Sequence, residues 1–237
     1  MRKPLGQEKH LNTILVVAAH PDDEVLGCGG TIARLAREGH DVHILILGEG
    51  ITSRYDSLAF REKEQVADLR ARSQKAIQLL GAKDVFYFDY PDNRFDTIPL
   101  LEIVKTLEKK IQEIRPAIVF TQHGGDLNID HAVTFRSVLT ATRPMSGHSV
   151  KELCAFEVPS STEWAFGRFT PTFRPNVFLD ISETIDVKIQ AMAVYESEVR
   201  AFPHPRSPEA LESIAQKWGS TVGLPAAEAF EAIRLIR

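Results

Sequence analysis

The stretch from residue 13 to residue 24 constrains this chain more than any other. Residues 13–19 form an apolar run without alternation, as expected of a buried parallel strand covered on both faces. The run breaks at once into His20-Pro21-Asp22-Asp23-Glu24, and then into Gly27-Cys28-Gly29-Gly30. A helix is expected from near Gly30 through Ile32, Ala33, Leu35 and Ala36, so the polar residues occupy a strand-to-helix loop. In open α/β sheets, ligands bind at the carboxyl ends of strands. One imidazole and three carboxylates within five residues would repel one another and lose hydration there if nothing joined them. A divalent cation is the simplest remedy.

The rest of the chain repeats the pattern. Strands are expected over 41–47, 84–88 and 117–121, and helices over 58–80, 99–114 and 131–142. Gly81 suits a helix C-cap, Pro116 stops the helix before it, and Asp130 suits an N-cap. Shorter strands at 152–157 and 176–180 and helices at 186–195 and 208–218 follow, separated by a proline-bound loop with His204 and Arg206. Strands alternating with helices predict βαβ units with right-handed crossovers. The expected class is α/β: one domain over 1–237, a mostly parallel sheet flanked by helices, and an irregular C-terminal part.

At 237 residues the chain can bury a sizeable core, and a net charge of −4 argues against nucleic acid as partner. The two cysteines, Cys28 and Cys154, lack CxxC spacing and fit a reducing compartment. The first ten residues lack the apolar core of a signal peptide, and no run approaches the roughly 20 apolar residues of a membrane span. The expectation is a cytoplasmic protein with no integral membrane segment.

Imidazole and carboxylate together suit zinc, whose catalytic sites keep three protein ligands and a water. His20 and Asp23 are close enough to grip one ion, and His131, at the start of another post-strand helix, is the best third ligand. Asp22 projects differently from Asp23 and could take a proton from a metal-bound water as general base. Glu24 suits support of the loop or helix start. Plainer readings stand beside these. The His-Pro-Asp loop could be a turn with Asp22 or Asp23 as a cap, and His123 and Asp126 could be simple loop residues. Arg54, Arg94 and Asp96 could form surface ion pairs, His204 and Arg206 could pack at the fold's edge, and Trp164 and Trp218 could be core. Gly27, Gly29 and Gly30 lack the GxGxxG spacing of a dinucleotide loop.

The segment Ala19-His20-Pro21-Asp22-Asp23-Glu24, after an apolar strand and before a glycine-rich helix start, resembles the first motif of the PIG-L/LmbE family of zinc-dependent de-N-acetylases. Asp130-His131, followed by a helix, resembles its second. The resemblance implies a Rossmann-like fold and hydrolysis of N-acetyl groups, mostly from amino sugars and their conjugates. It implies Zn2+ held by His20, Asp23 and His131, with Asp22 as the base and Asp130 as an acid orienting a neighbouring side chain. Arg54 and Asp96 fall where such enzymes contact substrate. Members often assemble, so a homo-oligomer is implied too.

One departure stands out. The family's second motif often reads His-Pro-Asp-His, but here it is Asn128-Ile129-Asp130-His131. An asparagine amide can donate to an oxyanion but cannot become an imidazolium. Either Asn128 steadies the oxyanion, or His123 or His204 supplies the imidazole. A cleft bearing Arg54, Arg94, Asp96 and Arg206 suits hydroxyls plus an anion, as in a sugar nucleotide or a polysaccharide precursor. Two rivals remain: a ferrous oxygenase built on the two-His-one-carboxylate set, and a non-catalytic metal- or sugar-binding protein.

Overall fold

The structure, a computed structural model, describes residues 11–51 and 60–237. The elements run β1 (Thr13–Ala18), α1 (Asp23–Arg37), β2 (Asp41–Gly48), α2 (Phe60–Leu80), β3 (Asp84–Tyr90) and α3 (Leu100–Ile114). They continue with β4 (Ile118–Gln122), α4 (Ile129–Ala141), β5 (Glu152–Phe156), β6 (Val177–Asp180), α5 (Ile185–Val194), α6 (Pro208–Thr221) and β7 (Ala227–Leu235). The strands form one sheet in the order β3-β2-β1-β4-β5-β7-β6. The first five are parallel, while β7 runs antiparallel between β5 and β6.

The apolar run behaves as its composition requires. On β1, Ile14, Val16 and Ala18 enter a core with residues of α1, α2 and α5. Leu15, Val17 and Ala19 enter a second core with α3 and α4. Both faces are covered, so nothing selects for alternation. Strand order reverses between β1 and β4, which pair from Ile14 with Ile118 to Val17 with Thr121. Their carboxyl ends therefore open into the crevice where doubly wound sheets bind ligands.

Three boundaries differ from expectation. First, α1 begins at Asp23 rather than near Gly30 and is broken at Cys28, whose φ of −147° is not helical. The break frees Leu26 O, which accepts from Lys188 Nζ (2.8 Å), and the amides of Gly30 and Thr31, which donate to the Glu228 carboxylate (2.9 and 2.7 Å). Lys188 and Glu228 are themselves paired at 2.6 Å. The amides opened by the glycines thus hold the protein's own carboxylate rather than a phosphate. Gly27 is needed for close approach, because a Cβ there would lie 2.1 Å from the Phe156 ring.

Second, the N-cap of α4 is Asn128, whose side chain accepts from Asp130 N, and not Asp130. Third, β7 was not expected at all. Its alternation of alanine and glutamate also suits a helix, and only pairing with β5 and β6 makes it a strand. The C-terminal part is accordingly more regular than its sequence suggests. Among the described residues, no helix is long and apolar enough to cross a membrane.

Candidate metal centre and catalytic cleft

Loops at the carboxyl edge converge on a cavity of about 140 Å3. The loop after β1 supplies His20, Asp22 and Asp23, and the loop after β3 supplies Asp92. The β4-α4 loop and first turn supply Asn128 and His131, while Ser160, Ser161, Glu198 and Arg206 come from the last third of the chain.

The two histidines are held through one nitrogen each. His20 Nε2 lies 2.9 Å from Asp130 Oδ2, leaving Nδ1 toward Asp23 Oδ2 at 3.5 Å. His131 Nδ1 lies 3.2 Å from Asp126 Oδ1, leaving Nε2 toward Asp23 Oδ2 at 3.3 Å. The holding carboxylates are fixed in turn. Asp130 accepts from the amides of Asn93 (2.6 Å) and Phe95 (2.9 Å). Asp126 accepts from Ser161 Oγ, from Thr162 Oγ1 at 2.6 Å and from Asn128 N at 2.8 Å. Carboxylates that fix the far nitrogen of a ligand histidine are a regular feature of metal sites.

His20, Asp23 and His131 each offer a ligand atom within 4.8 Å of the others, and all three are buried. Asp23 Oδ2 accepts from His20 N and Gln122 Nε2, both at 2.8 Å. Its Oδ1 takes no hydrogen bond among those described. The donor set fits zinc: two imidazoles that can be neutral, one carboxylate, and an opening to solvent for a fourth position. A second grouping, His20 with Asp92 and Asp130, meets the same distance test. There, however, Asp130 already accepts from two amides and contacts the imidazole, an arrangement that suits a residue holding His20.

The electrostatics follow from the carboxylates gathered around the two imidazoles. Burial disfavours the charged imidazole of His20, but Asp130, Asp23 and Asp92 outweigh it and raise its pKa to about 10. For His131, burial is outweighed by Asp23 and Asp126, and its pKa rises to about 9. Burial acts to raise Asp23 as well, yet His131 and His20 hold it well below the usual carboxylate range. A divalent cation bound among the three would need both imidazoles neutral and would take over the charge balance of these carboxylates.

Asp22 stands apart from this set. Its φ is 105°, a left-handed conformation costly for a residue with a Cβ. Arg206 Nη1 donates to its Oδ2 at 2.6 Å and contacts Glu198 Oε2 at 3.2 Å, while Arg206 Nε donates to Ser160 Oγ at 2.7 Å. Burial raises the Asp22 pKa well above normal, against the lowering influence of Arg206. A buried carboxyl with a raised pKa beside three candidate metal ligands is a candidate for proton transfer.

The other expected site residues are distributed unevenly. His123 is fully buried but turned away from the cavity, with Nε2 3.2 Å from Glu231 and its ring edge-on to Phe173. His204 packs edge-on against Trp164 and accepts from Arg206 N, so it braces the arginine rather than facing the cavity. Neither is among the residues that line the cavity. Arg94 and Asp96 are exposed around a single 3-10 turn and do not line the cavity. Arg54 lies outside the described residues. Sequence reasoning missed Asp92, Gln122, Tyr195 and Glu198. Only Asp92 carried a signal, as a carboxylate in a post-strand loop.

A family model described as PIG-L: GlcNAc-PI de-N-acetylase matches residues 15–142. The chain is 30% identical over 204 residues to diacetylchitobiose deacetylase of Thermococcus kodakarensis, covering 78% of this chain and 69% of that one. It is 28% identical over 200 residues to a probable N-acetyl-alpha-D-glucosaminyl L-malate deacetylase 2 of Bacillus cereus, covering 82% and 86% respectively. Its fold matches that of N,N'-diacetylchitobiose deacetylase from Pyrococcus horikoshii with a TM-score of 0.76 at 23% identity, over 95% of this chain and 85% of that one.

Proposed function

The chain belongs to the PIG-L family of de-N-acetylases, and we propose that it removes the acetyl group from an N-acetylated amino sugar or its conjugate in a zinc-dependent reaction. The observation that carries this reading is the convergence of His20, Asp23 and His131 beside Asp22 in one cavity. Bound there by those three residues, zinc would act as a Lewis acid and lower the pKa of a water toward about 7.

The chain's own groups account for the protons. Asp22 Oδ2 is held by Arg206, so Oδ1 is the oxygen that accepts the proton of the attacking water. The new C–O bond makes a tetrahedral carbon with a negatively charged oxygen. Asn128 lines the cavity, and with its Oδ1 committed to Asp130 N its Nδ2 is the donor left to meet that charge. Protonated Asp22 then gives its proton to the leaving nitrogen as the C–N bond breaks, yielding acetate and an amine. With neither His123 nor His204 in the cavity lining, one carboxyl serves as base and then as acid, and its burial-raised pKa suits both tasks.

The wall chemistry bears on the substrate. Of the groups expected to meet an anion, only Arg206 lines the cavity among the described residues, and it is paired with two carboxylates. An uncharged N-acetylglucosaminyl unit suits such a cavity better than a sugar nucleotide, and the name of the Thermococcus relative points the same way, whereas that of the Bacillus relative joins the N-acetylglucosaminyl unit to an anionic malate. Buried free Cys28 and Cys154 suit a reducing compartment such as the cytoplasm.

The test is acetate release by zinc-loaded protein from N-acetylglucosamine, its disaccharide, and phosphorylated or nucleotide-linked forms, with Asp22→Asn alongside. Release by the native protein that the variant abolishes is the expected result. No release from any of them by protein carrying stoichiometric zinc would refute the reading.

A further inference from the structure

Asp22 occupies the N-cap position of α1 but does not act as a cap. The amides of Val25 and Leu26 donate to its carbonyl (3.0 and 2.9 Å), while its carboxylate takes no capping hydrogen bond from the helix. An N-cap aspartate ordinarily has an extended backbone and turns its carboxylate onto an amide two or three residues on. Asp22 has a φ of 105° instead, and its Oδ2 accepts from Arg206. Something must hold it out of the pose that its own helix favours.

Two arms do so, and both start from one turn. Just past α5, Glu198 N and Val199 N donate to Tyr195 O (2.7 and 3.1 Å), closing a turn over residues 195–199. Arg200 braces it by donating to the carbonyls of Ser197 and Val199. On the first arm, the fully buried Tyr195 OH donates to Glu24 Oε1 at 2.5 Å, and Glu24 Oε2 accepts from Asp22 N at 3.1 Å. On the second, buried Glu198 Oε2 accepts from Arg206 Nη1 at 3.2 Å, and the same nitrogen donates to Asp22 Oδ2 at 2.6 Å. One arm ends on the backbone of Asp22 and the other on its carboxylate. Together they set both its φ and the direction of its side chain.

We propose that the turn over 195–199 is a two-armed clamp that holds Asp22 off the helix cap and aimed into the cavity, with Tyr195 and Glu198 as positioning residues for the base. This rests on the reading of Asp22 as the base. Released from the clamp, Asp22 falls back onto the amides of α1, and its carboxylate is lost to the reaction. The arms run to Glu24 and Arg206, so cutting them moves the base and leaves the metal in place.

Tyr195→Phe removes one hydroxyl and keeps the ring in the core, and Glu198→Ala cuts the second arm. Each should lower kcat for acetate release by roughly 10- to 100-fold, the scale of a misplacement of about 1 Å, with KM and zinc content little changed. Glu198→Gln keeps an acceptor for Arg206 and should restore most of the loss. In an Asp22→Asn background, Tyr195→Phe should cause no further loss, because a residue that acts through the base has nothing left to place. Hydrogen exchange of the Asp22 amide, followed by NMR on zinc-loaded protein, gives a readout independent of turnover. It should quicken about tenfold in Tyr195→Phe, near the contribution of one hydrogen bond. Should Tyr195→Phe fail to fold, Glu198→Ala and its glutamine rescue carry the test. Unchanged kcat in the single variants, losses that multiply in the Asp22→Asn background, or unchanged exchange overturns the clamp. If the native protein releases no acetate, the reading of Asp22 as the base fails and exchange alone decides: quickened exchange keeps the clamp as the device that shapes this loop, and unchanged exchange defeats it too.

Discussion

Removing the metal and varying pH offers the sharpest test of how the centre is built. Without a metal, the carboxylates around His20 and His131 hold their pKa values at about 10 and about 9. A metal needs both imidazoles neutral. At pH 7, freeing both protons costs on the order of 7 kcal/mol, at about 1.4 kcal/mol for each pH unit between 7 and those values. Zinc binding should therefore release about two protons, and apparent affinity should rise about 100-fold per pH unit from roughly pH 7 to 8.5, flattening above about 10. Chelator competition gives the slope, and calorimetry in buffers of different ionisation enthalpy gives the proton count. Release of less than one proton, or a slope shallower than about tenfold per unit, would refute the picture of protonated histidines standing in for the ion. The metal-free protein should show the opposite trend in stability. Both histidines have raised folded-state values, so their contribution is complete below the unfolded value of about 6.5 and is lost as pH rises through 9 to 10. Its Tm should fall between pH 7 and pH 10, while zinc-loaded protein resists that fall.

Asp22→Asn should lower kcat by about 10²- to 10⁴-fold, with zinc content unchanged by metal analysis, because general base catalysis typically contributes that much. Asp130→Asn weakens the hold on His20 Nε2 and should weaken zinc binding about 10- to 100-fold in the same chelator assay. Lys188→Met leaves buried Glu228 without its 2.6 Å partner and should destabilise the protein by about 3–5 kcal/mol in denaturant unfolding. Gly27→Ala drives a Cβ to 2.1 Å from the Phe156 ring and should cost about 1–3 kcal/mol in the same measurement.

The legible part of the site is the part fixed by local spacing. His20, Asp22 and Asp23 share one loop behind a strand whose apolar run leaves little choice of fold, and His131 follows another such strand. The resemblance of these two loops to a family supplied the pairing across more than a hundred residues. What could not be read is what those side chains lean on. Asp126 looks like any loop aspartate until Ser161 and Thr162 arrive from beyond β5 to bind it. His123 looks like a catalytic candidate because it lies eight residues before a ligand, yet its ring turns to Phe173 and Glu231, which no local pattern could place. Likewise β7 becomes a strand only because β5 and β6 leave it a gap, and on that strand Glu228 finds the broken turn of α1.

The strained base shows why the late chain matters to the chemistry. A left-handed aspartate costs on the order of 1–3 kcal/mol and persists only where its surroundings over-determine it. Asp22 N donates to Glu24 Oε2 at 3.1 Å, and Tyr195 OH donates to Glu24 Oε1 at 2.5 Å. The Asp22 carboxylate is held from the other side by Arg206, itself tied to Glu198 and Ser160. Burial raises the Glu24 pKa to about 7, but both its neighbours are donors, so its hydrogen bonds favour the ionised form. Tyr195, Glu198 and Arg206 all lie beyond residues 15–142, the segment matched by the family model. The three candidate ligands come wholly from within that segment, whereas the pose of Asp22, the proposed base, depends on residues outside it. On the proposed mechanism, a chain sharing only the two motifs would keep the candidate ligands and still lack a placed base, so the C-terminal third would contribute to catalysis by holding Asp22.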